Sequence, residues 1–395
     1  MAYNYVIVGS GIAGVTAAKE IRKKDSAGSV LLIGDENCEP YFRIKLSHLM
    51  AEEEPELPVL NEEGWCKELN IEAHYDARVR AIDFNAMTLT LEDGKTIEAE
   101  KILLANGSHA NLPPFENSDL KGVFTLRTFD DLQAIGTYLD DMERVCVIGG
   151  GLLGLEAAKS LQARGKDVTI VHRRDYLLSN QLDEELGRML NEEMEAQGFN
   201  VCAGYDTKGF LGKDRVEGIE FSDGTVVDVD CILVSIGVRA NIDLFEGTEL
   251  EVNRGVVVDR YLKTNLENVW AAGDVAEVEG RTMGLWSASR AMGKVAGANM
   301  TGDEKTYENP MAFTKLDIGD IEVFSAGKIG DDDDDVYVYD EGDEHHRLYV
   351  NDGRVEGVVL YGNTKKMGAY RKFVEKRAPI EEALEGAYPF KLREA

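Results

Sequence analysis

Two copies of one glycine pattern, 140 residues apart, constrain this chain more than anything else in it. In the first copy, Tyr5, Val6, Ile7 and Val8 form an apolar run of strand length, and Gly9, Gly11 and Gly14 follow as G-x-G-x-x-G. This order predicts a buried strand, a tight turn and a helix over residues 13–21. Gly9 serves the turn, Gly11 lets backbone N–H groups come close to a pyrophosphate, and Gly14 lets the helix lie against the sheet. Unpaired N–H groups and the positive end of the helix dipole favour an anion there. A second apolar run, Val30–Ile33, delivers Asp35 twenty-one residues after Gly14. A carboxylate in that place accepts hydrogen bonds from a ribose hydroxyl pair.

In the second copy, Val145, Cys146, Val147 and Ile148 lead to Gly149, Gly151 and Gly154. Gly14, Ala17, Ala18 and Lys19 recur as Gly154, Ala157, Ala158 and Lys159, so one chain carries two dinucleotide folds. The strand over residues 168–171 ends at His172-Arg173-Arg174, and no acid stands where Asp35 stood. Arginines there either hold a ribose 2′-phosphate, as in NADPH, or stack on adenine or face solvent; charge alone leaves the choice open.

Alternation over residues 78–84, 88–91 and 96–100 suggests a small antiparallel ribbon, and residues 199–229 suggest another. A buried strand follows each: 101–105 ending at Asn106-Gly107-Ser108, and 231–236 ending at Gly237, so the duplication covers whole domains. Asn111-Leu112-Pro113-Pro114 marks a crossover between them. The stretch from Cys38 to His48 carries Tyr41, Phe42, Arg43 and Lys45, and the Glu- and Pro-rich residues 51–63 read as an exposed connection. In a flavin enzyme such a loop would pass the pyrophosphate and ring, with Arg43 and Lys45 offsetting negative charge. The alternative is a surface loop whose cations pair with nearby glutamates. Trp270-Ala271-Ala272-Gly273-Asp274 sets an acid at a strand end, to bind a polyol chain or close an Asx turn. A helix over residues 288–300 would aim its N-terminus at a ring carbonyl that gains charge on reduction.

Residues 183–197 show helical periodicity. From Tyr307 the chain turns to alternating strands over 321–324, 336–339, 347–350 and 355–360 and then a helical region, a separate α+β domain. Its basic residues Lys365, Lys366, Arg371, Lys372, Lys376 and Arg377 stand out against a net charge of −30, and Lys365, Lys372 and Lys376 could share one helical face. That cluster is either a docking patch for an acidic carrier or a solvated face. The overall charge argues against nucleic acid or an anionic membrane as partner. No run approaches the eighteen or so apolar residues of a membrane span, and no charged leader precedes the first strand, so a cytoplasmic location is expected. Cys38, Cys66, Cys146, Cys202 and Cys231 are scattered and never in C-x-x-C. Neither a disulfide framework nor an Fe–S or zinc site is encoded, and redox chemistry must come from a bound organic cofactor. His345 and His346 read as an exposed loop pair, and residues 331–335 as a solvated acidic turn.

The two fingerprints, the Asn106-Gly107-Ser108 strand end and Ala272-Gly273-Asp274, in this order, resemble the pyridine nucleotide-disulfide oxidoreductase superfamily. Within it, Pro40-Tyr41-Phe42-Arg43, Leu46-Ser47-His48, the Val171-His172 strand end and Leu182-Asp183-Glu184-Glu185-Leu186 resemble the NADH:rubredoxin oxidoreductases and the related flavin module of assimilatory nitrite reductases. The first is favoured because the chain stops before a sirohaem or Fe–S module could begin. The resemblance implies an α/β fold with two Rossmann-like domains, one for FAD and one for NAD(P)H, and a C-terminal α+β domain. Its boundaries are residues 1–112 and 233–304 for FAD, 113–232 for NAD(P)H and 305–395 for the last domain. It implies FAD at Gly9, Gly11, Ala13, Gly14, Asp35, Arg43 and Lys45, and at Asn106, Gly107, Gly273 and Asp274, with Gly237, the counterpart of Gly107, as a further cofactor-binding residue. NADH, or NADPH, is implied at Gly149, Gly151, Leu153, Gly154 and His172, with Glu156 near the nicotinamide and Lys45 and Glu156 closest to the chemistry. The superfamily usually has Thr where Asn106 stands. Its redox-active cysteine pair is absent, and Cys38 lies off the position of the single cysteine in peroxidase and coenzyme A disulfide reductase relatives, which disfavours disulfide chemistry. The expected function is hydride transfer from NADH to FAD and release of single electrons to rubredoxin or a similar small iron protein. The alternatives are an NAD(P)H oxidase or flavin reductase component, and a nucleotide-responsive interaction protein. Oligomeric state is left open.

Overall fold

A computed structural model of the chain describes residues 2–319, 321–330 and 335–393. They divide into two compact units: Met1–Lys45, Glu56–Ala110 and Gly237–Pro310 form the first, and Leu46–Pro55, Asn111–Ile236 and Met311–Ala395 form the second.

The first unit is built on a parallel sheet in the order Val269–Ala271, Ile102–Leu104, Tyr5–Val8, Val30–Ile33, Glu72–His74. Its three central strands are buried along their whole length, as strands covered on both faces must be. The helix Ile12–Lys24 runs longer than its apolar core because Arg22, Lys23 and Lys24 suit the negative end of its dipole. It packs against the helix Trp286–Met300 at a distance only glycine allows. A Cβ on Gly293 would lie 2.2 Å from the Ala13 carbonyl oxygen, and one on Gly297 2.6 Å from that of Ala17. The ribbon Val79–Asp83, Thr88–Leu91, Thr96–Glu98 is antiparallel as expected.

The second unit repeats the plan. Its parallel sheet runs Val123–Thr125, Cys231–Val234, Arg144–Ile148, Asp167–His172, Asn200–Ala203; the last four repeat the order of the first sheet, while the outer strand Val123–Thr125 precedes them in the chain where Val269–Ala271 comes last. Cys231–Val234 lies inside this sheet, so the expected return to the first domain at residue 233 cuts a strand; the return comes at Gly237. The short helix Leu46–Leu49 belongs here too, packed on the helix Leu152–Ala163.

A six-stranded antiparallel sheet completes the second unit, in the order Phe313–Ile318, Ile321–Gly327, Arg354–Tyr361, Glu344–Asn351, Asp335–Glu341, Lys391–Leu392. The His345-His346 pair is not a loop. Both lie in the strand Glu344–Asn351, and His346 is fully buried against Tyr388 and Tyr339. The flanking charges suggested exposure, yet this strand is covered on both faces. His346, Leu348 and Val350 face the domain's own core, while Arg347 and Tyr349 reach the helix Glu184–Ala196. The Arg347 guanidinium, 0% exposed, contacts Asp340 at 2.7 Å and Glu185 at 3.3 Å. Tyr349 donates to Asp183, whose other oxygen caps that helix at Leu186, and Tyr361 donates to Glu193. Residues 331–334 of the acidic run lie outside the described residues, and Asp335 opens a strand. The basic residues do not share one helical face: the helix is Met367–Glu375, Lys365 precedes it, Arg371 pairs with Glu375 and Arg377 with Glu356.

Because Gly293 meets backbone rather than a yielding side chain, Gly293→Ala should lower unfolding free energy by about 1–3 kcal/mol. Gly11→Ala, whose Cβ would meet nothing within 4 Å, should leave it within about 0.5 kcal/mol. Chemical denaturation of both variants measures the contrast.

Candidate functional site

In the first unit, Gly9 adopts φ +112° and donates its N–H to Ile33. A Cβ there would sit 2.1 Å from the Ala105 carbonyl oxygen, and one on Gly14 would sit 1.9 Å from that of Gly9. The turn is thus locked against two neighbours by missing side chains. Gly11 is the N-cap of the helix Ile12–Lys24, has no side-chain cap and has no acid in the turn that follows. Space in front of it is open. Unpaired N–H groups facing open space form a cradle for a pyrophosphate. Asp35 is exposed just past Val30–Ile33, and Ala13 lies under Gly273, which has φ +84°.

Asp274 follows Gly273 with each carboxylate oxygen taken by a serine: Ser108 donates at 2.8 Å and Ser289 at 2.9 Å. Neither serine stood out in the sequence as an Asp274 partner. Gly107 (φ +68°) turns the chain from Ile102–Leu104 into Ser108–Ala110, which pairs with Val238–Ala240 just past Gly237 (φ +94°). Asn106 and Asn241 exchange amide-to-carbonyl hydrogen bonds at 2.8 and 2.7 Å. The Asn106 Oδ1 is buried and accepts no hydrogen bond among the described residues, an acceptor left for a bound donor. Arg43 stacks on Tyr41 and pairs with Glu36, which also accepts from the Tyr41 hydroxyl. The glutamate-pairing reading of this loop therefore holds for Arg43. Lys45 is exposed, its Nζ 5.2 Å from the Phe42 ring centroid, and Phe42 stacks on Trp286 at 6.0 Å.

The second unit builds the same cradle. Gly149 has φ +130° and donates to Val171; a Cβ on it would lie 2.1 Å from the Ser235 carbonyl oxygen, and one on Gly154 1.9 Å from that of Gly149. Gly151 caps the helix Leu152–Ala163 with open space ahead of it, and Leu153 is 52% exposed in the first turn. Glu156, one turn further, accepts from Ser47 Oγ at 2.8 Å, with His48 Nε2 at 3.9 Å. Ser47 is only 2% exposed, so this bond is shielded from water. The sequence placed Glu156 by resemblance alone; its serine partner lies 109 residues away and carries no local signal.

His172 buttresses the second turn. Its Nδ1 accepts from the Gly150 N–H at 3.2 Å and its Nε2 lies 3.2 Å from Ser179 Oγ. Accepting through Nδ1 requires a ring without a proton there. Burial, then the positive charges of Arg174 and Arg173, hold its pKa below the ordinary 6.5. Among the described residues no group of His, Cys, Asp and Glu could hold a metal ion, and no helix is long and apolar enough to cross a membrane. Burial pushes the Cys231 thiol up to about 12, and all five cysteines are free.

Two cradles of one geometry define a two-dinucleotide α/β protein. Residues 3–293 match the family model described as pyridine nucleotide-disulphide oxidoreductase, and residues 312–378 match the rubredoxin NAD+ reductase C-terminal domain. The chain belongs to the pyridine nucleotide-disulphide oxidoreductase family. It is 33% identical to a nitrite reductase [NAD(P)H] of Bacillus subtilis over 95% of this chain and 48% of that protein. It is also 33% identical to the ferredoxin reductase component of chlorobenzene dioxygenase of Cupriavidus sp., over 97% of this chain and 95% of that one. The crystal structure of NADH:rubredoxin oxidoreductase from Clostridium acetobutylicum has the same fold, with TM-score 0.83 and 24% identity over 96% of each chain. The chain spans about half the length of the Bacillus nitrite reductase and of a second Bacillus relative, an assimilatory nitrate reductase electron transfer subunit. Open space at Gly11 and the unmet acceptor on Asn106 fit the FAD that the family implies, as Gly151 fits a second dinucleotide.

With its folded pKa depressed, His172 supports the second turn fully above pH 6.5, and that support is lost as pH falls through its folded value. Nicotinamide nucleotide affinity should fall on acidification below pH 6.5. His172→Asn, which cannot acquire the proton, should flatten that fall in a calorimetric titration.

Proposed function

We propose that this protein is an NAD(P)H-dependent FAD oxidoreductase that passes electrons to rubredoxin or a similar small iron protein. The observation that carries the reading is the pair of matched cradles in a chain with no redox cysteine pair. FAD, when bound, would supply the chemistry of taking up one hydride, two electrons with a proton, and giving the two electrons back one at a time. The protein's part is alignment, which for hydride transfer is most of the catalysis.

In this reading Gly9, Gly11 and Gly14 hold the flavin pyrophosphate on the N-terminus of the first helix, and Asp35 accepts from the ribose hydroxyls. Asp274, fixed by Ser108 and Ser289, accepts from the polyol chain with its rotamer already set. The helix Trp286–Met300 has no acid in its first turn, so its positive end is available to a ring carbonyl that gains charge. Gly149, Gly151 and Gly154 hold the nicotinamide nucleotide, Glu156 orients the nicotinamide through the carboxylate that Ser47 restrains, and Lys45 supplies a cation beside the flavin. The C-terminal match to a rubredoxin reductase domain and the full-length similarity to a ferredoxin reductase component support an iron-protein acceptor. Against a net charge of −30, the exposed Lys372 and Lys376, one helical turn apart, are the docking cations for an acidic carrier.

Anaerobic stopped flow with NADH or NADPH, followed by oxidised rubredoxin or ferredoxin, tests the reading. Rapid bleaching of the flavin and its reoxidation as the iron protein loses colour are expected. Bleaching with rapid oxygen consumption and no reaction with either carrier would sink the acceptor assignment. Lys372→Glu with Lys376→Glu should raise the carrier's apparent KM about threefold to tenfold at low salt, with less effect at high salt. An unchanged KM removes those lysines from docking.

A further inference from the structure

We infer that the second cradle takes the 2′-phosphorylated nucleotide, NADPH, and that Arg173 and Arg174 are its specificity-determining residues. The inference rests on the reading of this cradle as the nicotinamide site and deepens it.

The internal duplication supplies a control within one chain. In the first sheet Val8 pairs with Ile33 and the Gly9 N–H donates to Ile33. In the second, Ile148 pairs with Val171 and the Gly149 N–H donates to Val171. Ile33 and Val171 are therefore equivalent, and counting on from each sets Arg173 at the place of Asp35 and Arg174 at that of Glu36. The same backbone that places Asp35, and Glu36 engaged by Arg43 and Tyr41, after the first sheet places two guanidinium groups after the second. A carboxylate there accepts from a free ribose hydroxyl pair and repels a phosphate; a guanidinium does the reverse.

The arginine backbone is held in place. Gly204, at φ +85°, donates its one N–H to the carbonyls of both His172 (2.9 Å) and Arg174 (2.8 Å), and Tyr205 donates to His172 as well. His172 is pinned in turn to Gly150 of the glycine turn. Both arginines are exposed, and among the described residues neither guanidinium makes a hydrogen bond or salt bridge. The neighbouring acid, Asp175, is also exposed, and its Oδ1 would lie 3.1 Å from a Cβ on Gly204, over the pinning glycine. Two unpaired cations on a fixed turn, beside a cradle for the pyrophosphate, match a phosphate monoester one ribose away.

Isothermal titration of the purified flavoprotein with 2′,5′-ADP and with 5′-ADP tests this without any hydride transfer. The 2′-phosphate should tighten binding about tenfold or more at low salt, and less at high salt. Arg173→Asp with Arg174→Glu, which copies the first cradle, should abolish or invert that ratio, while Arg173→Lys with Arg174→Lys should keep part of it. Should the charge reversal not fold, Arg173→Ala with Arg174→Ala carries the same expectation of a lost ratio. Equal affinity for the two probes in the unmodified protein, or a ratio unmoved in the folded variants, overturns the inference. Flavin bleaching is read separately: a chain that prefers 2′,5′-ADP yet is bleached by neither nucleotide keeps the inference and loses the hydride reading.

Discussion

The contact on which both units depend is the approach of a glycine-headed helix to the turn before it. With the Gly14 Cβ position 1.9 Å from the Gly9 carbonyl oxygen, and Gly154 in the same relation to Gly149, no side chain can stand at either place. The approach seats each helix at its strand end and leaves the helix N-terminus bare at Gly11 and Gly151. Burying unpaired N–H groups would cost several kcal/mol, so they open to the space where a nucleotide's anionic centre is best stabilised. Fold and binding thus share one cause. The third close approach, Gly293 and Gly297 against Ala13 and Ala17, joins two helices of the first unit by the same device.

The two copies differ where their ligands would. In the first, Ser10 fills the space that Gly34 leaves empty: a Cβ on Gly34 would lie 2.4 Å from Ser10 Oγ. In the second, the equivalent positions are exchanged, with Gly150 small and His172 large, and a Cβ on Gly150 would lie 2.9 Å from the His172 ring. One small and one larger residue meet at this junction in both copies, while its chemistry changes from a hydroxyl to an imidazole that accepts a backbone N–H. Beyond it the charge inverts, from Asp35 and Glu36 to Arg173 and Arg174. The duplicated scaffold therefore keeps its glycines where backbone meets backbone, while the residues that follow the second strand of each copy differ in size and charge.

Those distinctions explain what was legible in the sequence. The glycine turns, the buried central strands and both ribbons rest on local signals, a missing Cβ or a period of two, and each was readable from a few residues. Strands of three residues such as Val123–Thr125 and Ser108–Ala110 were not, because they exist only through partners more than a hundred residues away. Asp274 was readable as an acid at a strand end, but Ser108 and Ser289, which hold it, converge from separate elements. His346 was misread for the opposite reason. Its local surroundings are charged, and its burial is imposed by a strand whose two faces meet different neighbours, which one-faced alternation cannot reveal.

That strand also shows how an acidic chain affords a buried cation. Arg347 gives up water for Asp340 and Glu185, with Asp183 at 3.9 Å, and these acids come from two domains of the second unit. A buried pair adds little net stability over an apolar contact of equal volume, since desolvation offsets most of the attraction. Its directionality is what apolar packing lacks. With Tyr349 on Asp183 and Tyr361 on Glu193, it sets the C-terminal sheet in one register along the helix Glu184–Ala196. Asp183 serves both ends of this arrangement, as cap of that helix and as acceptor for the sheet, so the helix start and the sheet's seat are fixed by one carboxylate.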